Sequence, residues 1–250
     1  MSPLPVPVAR FVELATASHP GAIDTVILET TAWMRRPRLP AIPLEIRMSH
    51  QLGRAFVHEI RVGRGRLSVG FGLDAFVDGH GLMKVGPALQ TGPAFDQGAL
   101  IAMWGEALTF PTSWLGRRDV RWEGIDGRTA LLVVPNGDRE VPITVRFDPE
   151  SGWPACCEAD RYKTPDALVH WFGSWSDWRV DTAGLATPHR FLVRWADEAG
   201  PWLDVRLGSL RANVPVEHAF EVARRALGAG TGPSTRRGRE AREADRPPMG

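Results

Sequence analysis

Alternation of apolar and polar residues is the strongest signal in this chain, and it is sharpest between residues 67 and 77. There Leu67, Val69, Phe71, Leu73, Ala75 and Val77 alternate with Ser68, Gly70, Gly72 and Asp74. A side-chain period of two puts each set on its own face of a strand, so the apolar face needs a cover. Asp78-Gly79-His80-Gly81 reads as a hairpin turn, because Asp and Gly tolerate positive φ. The cover is expected from a helix over residues 96–108, where Leu100, Met103, Trp104, Ala107 and Leu108 fall on one stripe. Asp96 is placed to cap its start, and Phe110-Pro111 to end it, since Pro cannot continue a helix.

On the N-terminal side, Val8, Phe11, Val12 and Ala15 follow Pro3, Pro5 and Pro7 as a short helix ending near His19-Pro20-Gly21, suited to plug an edge of the sheet. Residues 23–33 and 42–48 read as strands joined by an Arg- and Pro-rich loop. Beyond the central helix come strands over 120–125 and 129–134, then Val141, Ile143, Val145 and Phe147, with Pro142 marking an edge or bulge. On the strand over 153–162, Trp153, Ala155, Cys157 and Ala159 share one face and Glu158, Asp160 and Tyr162 the other. Over 167–180, Trp171 and Trp175 take one face, Phe172 and Trp178 the other. Residues 185–195 and 202–210 form a last hairpin.

Ten or more strands with turns every ~8–12 residues are the signature of an all-β sandwich or barrel, and with the helices they predict a mainly β, α+β fold. The expected form is a curved antiparallel sheet or half-open β-barrel, partly wrapped around the central amphipathic helix, with short helices at both ends. Pro215 opens the last helix, on which Val216, Ala219, Phe220, Ala223 and Leu227 share a face. The organisation read from this is a single β-rich domain over 1–212, a helix over 213–228, and a disordered tail over 229–250.

Composition narrows the function by exclusion. A net charge of +1 over 250 residues gives no argument for nucleic acid or an anionic membrane. The adjacent Cys156 and Cys157 offer neither a disulfide framework nor a zinc set. No stretch reaches the ~20 apolar residues of a transmembrane helix, and residues 2–7 lack the basic and apolar regions of a signal peptide. The expected location is the cytoplasm. There is no Gly-x-Ser-x-Gly elbow, HExxH, phosphate loop or metal-ligand cluster, so no metal or cofactor is expected.

The remaining chemistry rests on isolated residues. His58 and Glu59 are neighbours on a strand and face opposite ways, which makes them a poor acid–base pair and leaves solvation as the ordinary reading of His58. Glu106 lies on the flank of the central helix. Turned inward it is a buried carboxylate with a raised pKa; turned outward it is solvated or Arg-paired. Glu106, Asp74 and His58 are the catalytic candidates. Arg161 alternates with Cys157 and Ala159 and so points inward, where it needs a carboxylate or an anionic ligand head. Ten tryptophans against one tyrosine leave Trp104, Trp114, Trp122, Trp171, Trp175 and Trp195, with Phe71 and Met103, to line a ligand cavity or build the core.

Several segments occur in an order that resembles a large bacterial family of unknown function. They are LDAFVDG at 73–79, GEALTFPTSWL at 105–115, VRWEGIDGRTALL at 120–132, the strand carrying Arg161, and VRW at 193–195. The resemblance covers residues 4–211. In architecture that family is similar to the lipoprotein-carrier group, LolA and the LprG/LppX lipid carriers, in which a curved antiparallel sheet half-wraps helices around an apolar cavity. The function this implies is binding of an apolar or amphipathic small molecule, lipid- or isoprenoid-like, between sheet and helix. An acid–base enzyme using the same cavity, or an interaction module presenting residues 215–227 to a protein partner, are the alternatives.

Overall fold

In the computed structural model, which describes residues 3–17, 21–63, 65 and 68–230, thirteen strands form a single antiparallel sheet. The strands are β1 (Thr25–Met34), β2 (Ile42–Gln51), β3 (Ala55–Val62), β4 (Phe71–Val77), β5 (His80–Val85), β6 (Ala88–Thr91), β7 (Arg121–Gly124), β8 (Thr129–Asn136), β9 (Arg139–Phe147), β10 (Pro154–Thr164), β11 (Ala167–Val180), β12 (Ala186–Trp195) and β13 (Leu203–Ala212). Their spatial order is β6-β5-β4-β3-β2-β1-β13-β12-β11-β10-β9-β8-β7. Each strand therefore pairs with its sequence neighbour, except that β1 and β13 meet at the centre and β6 and β7 are the unjoined edges. The sheet is curved and open, as expected for a sheet partly wrapped around a helix.

The link between those two edges is helix α2 (Pro93–Ala107), which crosses the concave side and packs on both arms. It is buried almost all round from Gly98 to Ala107, with Glu106 the polar exception, as expected of a helix enclosed in a core. Its glycines allow the close approach. Gly98 meets Arg161, and Gly105 meets the indole of Trp171. Asp96 does not cap the helix: the N-cap is Gly92, Pro93 occupies the first turn, and the Asp96 carboxylate accepts from the Gly81 backbone N–H at 2.7 Å. Asp96 thus ties α2 to β5.

The cover of the strongest alternating face is a different helix. Leu73, Ala75 and Val77 of β4 pack with Ile27, Ala55, Val57 and Leu82 against Val216, Ala219, Phe220 and Ala223. The last three lie on α3 (Glu217–Gly230), which lies on the convex side. The apolar stripe proposed for a protein partner is thus covered by the chain's own sheet. The small and polar set of β4, with Asp74 and Phe76, faces α2 instead. Strand β4 begins at Phe71, with residues 68–70 outside it, and turns into β5 through Asp78 and Gly79 at φ 53° and 85°. That pair of positive values is the two-residue hairpin geometry its sequence favours.

Helix α1 (Val6–Ala17) packs Val8 and Phe11 into the main core. Phe11 meets Phe147 and Trp153, and Arg10 donates to the carbonyls of Pro149 and Glu150. Trp178, expected opposite Trp175, stacks on Trp153 with centroids 4.8 Å apart and packs against that same core. The left-handed backbone at Asp177, φ 57°, interrupts the strict alternation just before it. Pro142 lies inside β9, in the part of that strand whose pairing with β10 has not yet begun. Strand β6 was without a sequence signal. The expected helix end at His19-Pro20, the strand start at Leu67 and the tail from residue 231 lie outside the described residues; α3 itself runs to Gly230.

Candidate functional site

Three polar side chains converge where the end of α2 passes over β2 and β3. Met48 pairs with His58 and His50 with Phe56, so the two histidines are diagonal neighbours on the concave face, their ring centroids 5.5 Å apart. Glu106, one residue from the end of α2, points between them. Its Oε2 lies 3.0 Å from His58 Nε2 and 3.1 Å from His50 Nε2. Both imidazoles are buried, and the Glu106 side chain keeps 18% of its surface.

Behind this trio stand a second carboxylate and a cation. Asp74 faces His58 directly in the β3–β4 register. Arg161 reaches inward from β10, its guanidinium 5.4 Å from the Trp171 ring centroid and 5.7 Å from that of Trp195. Its buried Nε has no hydrogen-bond partner, and among the described residues no carboxylate lies within ion-pair distance of it. Arg161 thus points inward as its alternation predicts, but it rests on aromatic faces.

The charges shift one another. Burial pushes the Glu106 carboxyl up, but the neighbouring His58 and His50 outweigh it and hold it well below the ordinary carboxylate range. The inward turn of Glu106 therefore produces the opposite shift from the raised one expected of a lone buried acid. Burial depresses His50. For His58 burial acts the same way, yet Glu106, with Asp74 behind it, raises the imidazole overall. Asp74 is raised by burial, against the pull of His58 and Arg161. His58 is accordingly a buried and partnered group, where solvation was the ordinary expectation.

Beside the trio a half-open cavity of about 60 Å³ lies over the centre of the sheet. Leu28, Met48, Phe110, Trp175, Phe191 and Val205 give it an apolar wall, and His50 and Glu106 are part of its lining. Most of the expected aromatic lining is elsewhere. Trp104, Trp171 and Met103 are buried in the solid core under α2, Trp114 packs edge-on against Trp122 at 5.2 Å, and Trp195 lies beside Arg161. Phe71, on the convex set of β4, is 46% exposed. Of those residues only Trp175 borders the cavity.

No metal-ligand cluster is expected from the sequence, yet the fold gathers three potential donors. The donor atoms of His50, His58 and Glu106 all lie within 4.8 Å of one another. His50 is not among the residues expected at a site. The available signal was the run Leu44, Ile46, Met48 and His50, whose period of two carries an imidazole onto an otherwise apolar face.

Comparison with known proteins comes to the same fold. The model of a family of unknown function, DUF6544, matches residues 1–206. No curated protein sequence matches the chain. Among solved structures, a LolA superfamily protein from Nitrosomonas europaea aligns with a TM-score of 0.52 at 11% identity, covering 85% of this chain and 96% of its own. A domain assigned to outer-membrane lipoprotein sorting, from Vibrio parahaemolyticus, aligns with a TM-score of 0.50 at 11% identity, covering 86% and 97%. The fold is LolA-like.

Proposed function

The chain belongs to DUF6544, a family of unknown function, and on that premise we propose that it binds an apolar or amphipathic small molecule, lipid- or isoprenoid-like, in the cavity beside Glu106. The observation that carries this reading is the cavity itself: a mainly apolar wall into which the buried His50 and the partly exposed Glu106 project, with Thr30, Thr109 and Thr187 also in the lining. Few convergent polar groups in an apolar cleft are the usual construction of a small-molecule site. The likeness to a lipoprotein-sorting domain is one of architecture and lends only analogy.

Size sets a condition. A cavity of about 60 Å³ is smaller than the ~150 Å³ in which benzene is known to bind. An occupant therefore inserts one apolar end and extends through the mouth, or Met48, Trp175 and Phe191 change rotamer to admit more. The polar end of the molecule would meet His50 and Glu106.

The test is native mass spectrometry of the purified chain, with denaturing extraction of whatever is retained, alongside the cavity-filling variant Leu207→Trp at another lining residue. A stoichiometric apolar passenger that the variant loses is the expected result. An empty wild-type chain that also takes up no fluorescent fatty acid or isoprenoid probe would sink the reading. A second reading, acid–base catalysis on the same occupant, draws on Glu106 joining two imidazoles at the cavity wall. Conversion of the passenger by wild type and not by Glu106→Gln would establish it.

A further inference from the structure

We propose that His50, His58 and Glu106 form a binding site for one divalent first-row transition metal ion, with Zn²⁺ the reference ion, at the inner wall of the cavity. This stands apart from whether the cavity holds an organic passenger, because it rests on the geometry of three donors.

Ligands bound at ~2.0–2.2 Å from a zinc ion are separated by ~3.3–3.6 Å at the tetrahedral angle and by ~2.8–3.1 Å where the angle at the metal narrows to a right angle. The Glu106 Oε2 to His50 Nε2 and His58 Nε2 distances are 3.1 and 3.0 Å, and all three donors fit within 4.8 Å. The two rings are inclined at 58° to each other, so their nitrogens converge from different directions on the carboxylate. Two histidines and one carboxylate recur as a ligand set for catalytic zinc and for non-haem iron.

An ordinary buried ion pair accounts for this less well. One imidazole suffices to neutralise one carboxylate, and a second buried polar ring adds a desolvation penalty. Here His50 and His58 are both buried and both address one oxygen. Behind the donors Asp74, opposite His58, and Arg161 cancel in formal charge, so with neutral imidazoles Glu106 leaves one net negative charge. A dication in front of it leaves one positive charge, which a hydroxide or an anionic ligand group in the open position would neutralise. Because His50 and Glu106 line the cavity, the remaining coordination position would face it, where water or a donor atom of a ligand completes the shell.

The experiment is equilibrium dialysis of the full, untagged chain against micromolar Zn²⁺, followed by metal counting, with the visible absorption of the Co²⁺-loaded chain as a second readout. One ion per chain is expected. Glu106→Gln, which keeps the shape of the side chain, and His50→Ala should each weaken binding at least a hundredfold. His170→Ala, which removes the surface imidazole between Glu158 and Asp160, should leave it unchanged. A Co²⁺ spectrum like that of the aqueous ion, no stoichiometric Zn²⁺ in wild type, or equal binding by wild type and Glu106→Gln overturns the proposal. If His50→Ala fails to fold, the Glu106→Gln titration and the wild-type Co²⁺ spectrum still decide. Passenger without metal would remove this site and leave the cavity reading intact, and metal without passenger would do the reverse.

Discussion

Gly81 of β5 lies flat beneath the Phe95 carbonyl in the first turn of α2, with no room for a Cβ between them. Backbone against backbone cannot be relieved by a rotamer change. Gly81→Ala should therefore shift α2 off the sheet and destabilise the fold by about 1–3 kcal/mol, the usual range for overpacking. Urea denaturation measures it, and an unchanged midpoint would show that α2 does not sit this close.

Phe220 anchors α3 on the convex face, against the stripe of Leu73, Ala75 and Val77. Phe220→Ala is expected to cost about 3 kcal/mol, as for other buried aromatic truncations. Arg224→Ala, which removes the exposed pair with Asp78 and leaves the hairpin turn untouched, should change the melting temperature little, since exposed pairs contribute little. Equal losses in the two variants would mean that charge, not packing, holds the helix.

Asp204 and Arg190 tie β13 to β12 through two hydrogen bonds, 3.1 and 2.8 Å. Burial pushes the Asp204 carboxyl up, but the guanidinium prevails and holds it below the usual carboxylate range. Because the folded value is depressed, the stabilisation is fully present above an unfolded Asp value of about 3.9. It fades as pH falls through the lower folded value. Asp204→Asn should cost about 1.5–3 kcal/mol at neutral pH, with the gap to wild type closing in acid. A gap independent of pH between 7 and roughly 2 would contradict this.

The two cysteines are buried unequally: Cys157 lies in the main core and Cys156 is half-buried on the other face. Burial raises both thiols, Cys157 far more. A disulfide reagent should titrate at most one thiol in the native chain and both after unfolding. Two fast native thiols would place Cys157 outside the core.

Local pattern carried most of the fold and little of the site. The alternation at Leu73, Ala75 and Val77 identifies an apolar face but holds no information about which helix covers it, and α3 rather than α2 does so. The reason is physical: a period of two separates the faces of a strand without saying which is concave. Arg161 was legible as inward-pointing because its strand neighbours are small and apolar. The meeting of His50, His58 and Glu106 was not, because it depends on a hairpin register and on a helix arriving from 48 residues away in sequence. The tryptophan surplus proved to be mostly core, since indoles that fill the space under α2 leave none there for a ligand.

The pairing of β1 with β13 sets the order in which this sheet can be assembled. Every other strand contact joins sequence neighbours and can zip up hairpin by hairpin, independently in the two arms. The central seam alone, from Val26 with Ala212 to Met34 with Leu203, must wait until nearly the whole chain has been synthesised. Closing so long a loop adds only logarithmically to the entropy lost, but non-local pairings of this kind slow folding. Until they form, the chain is two separate ribbons with raw inner edges, joined through α2.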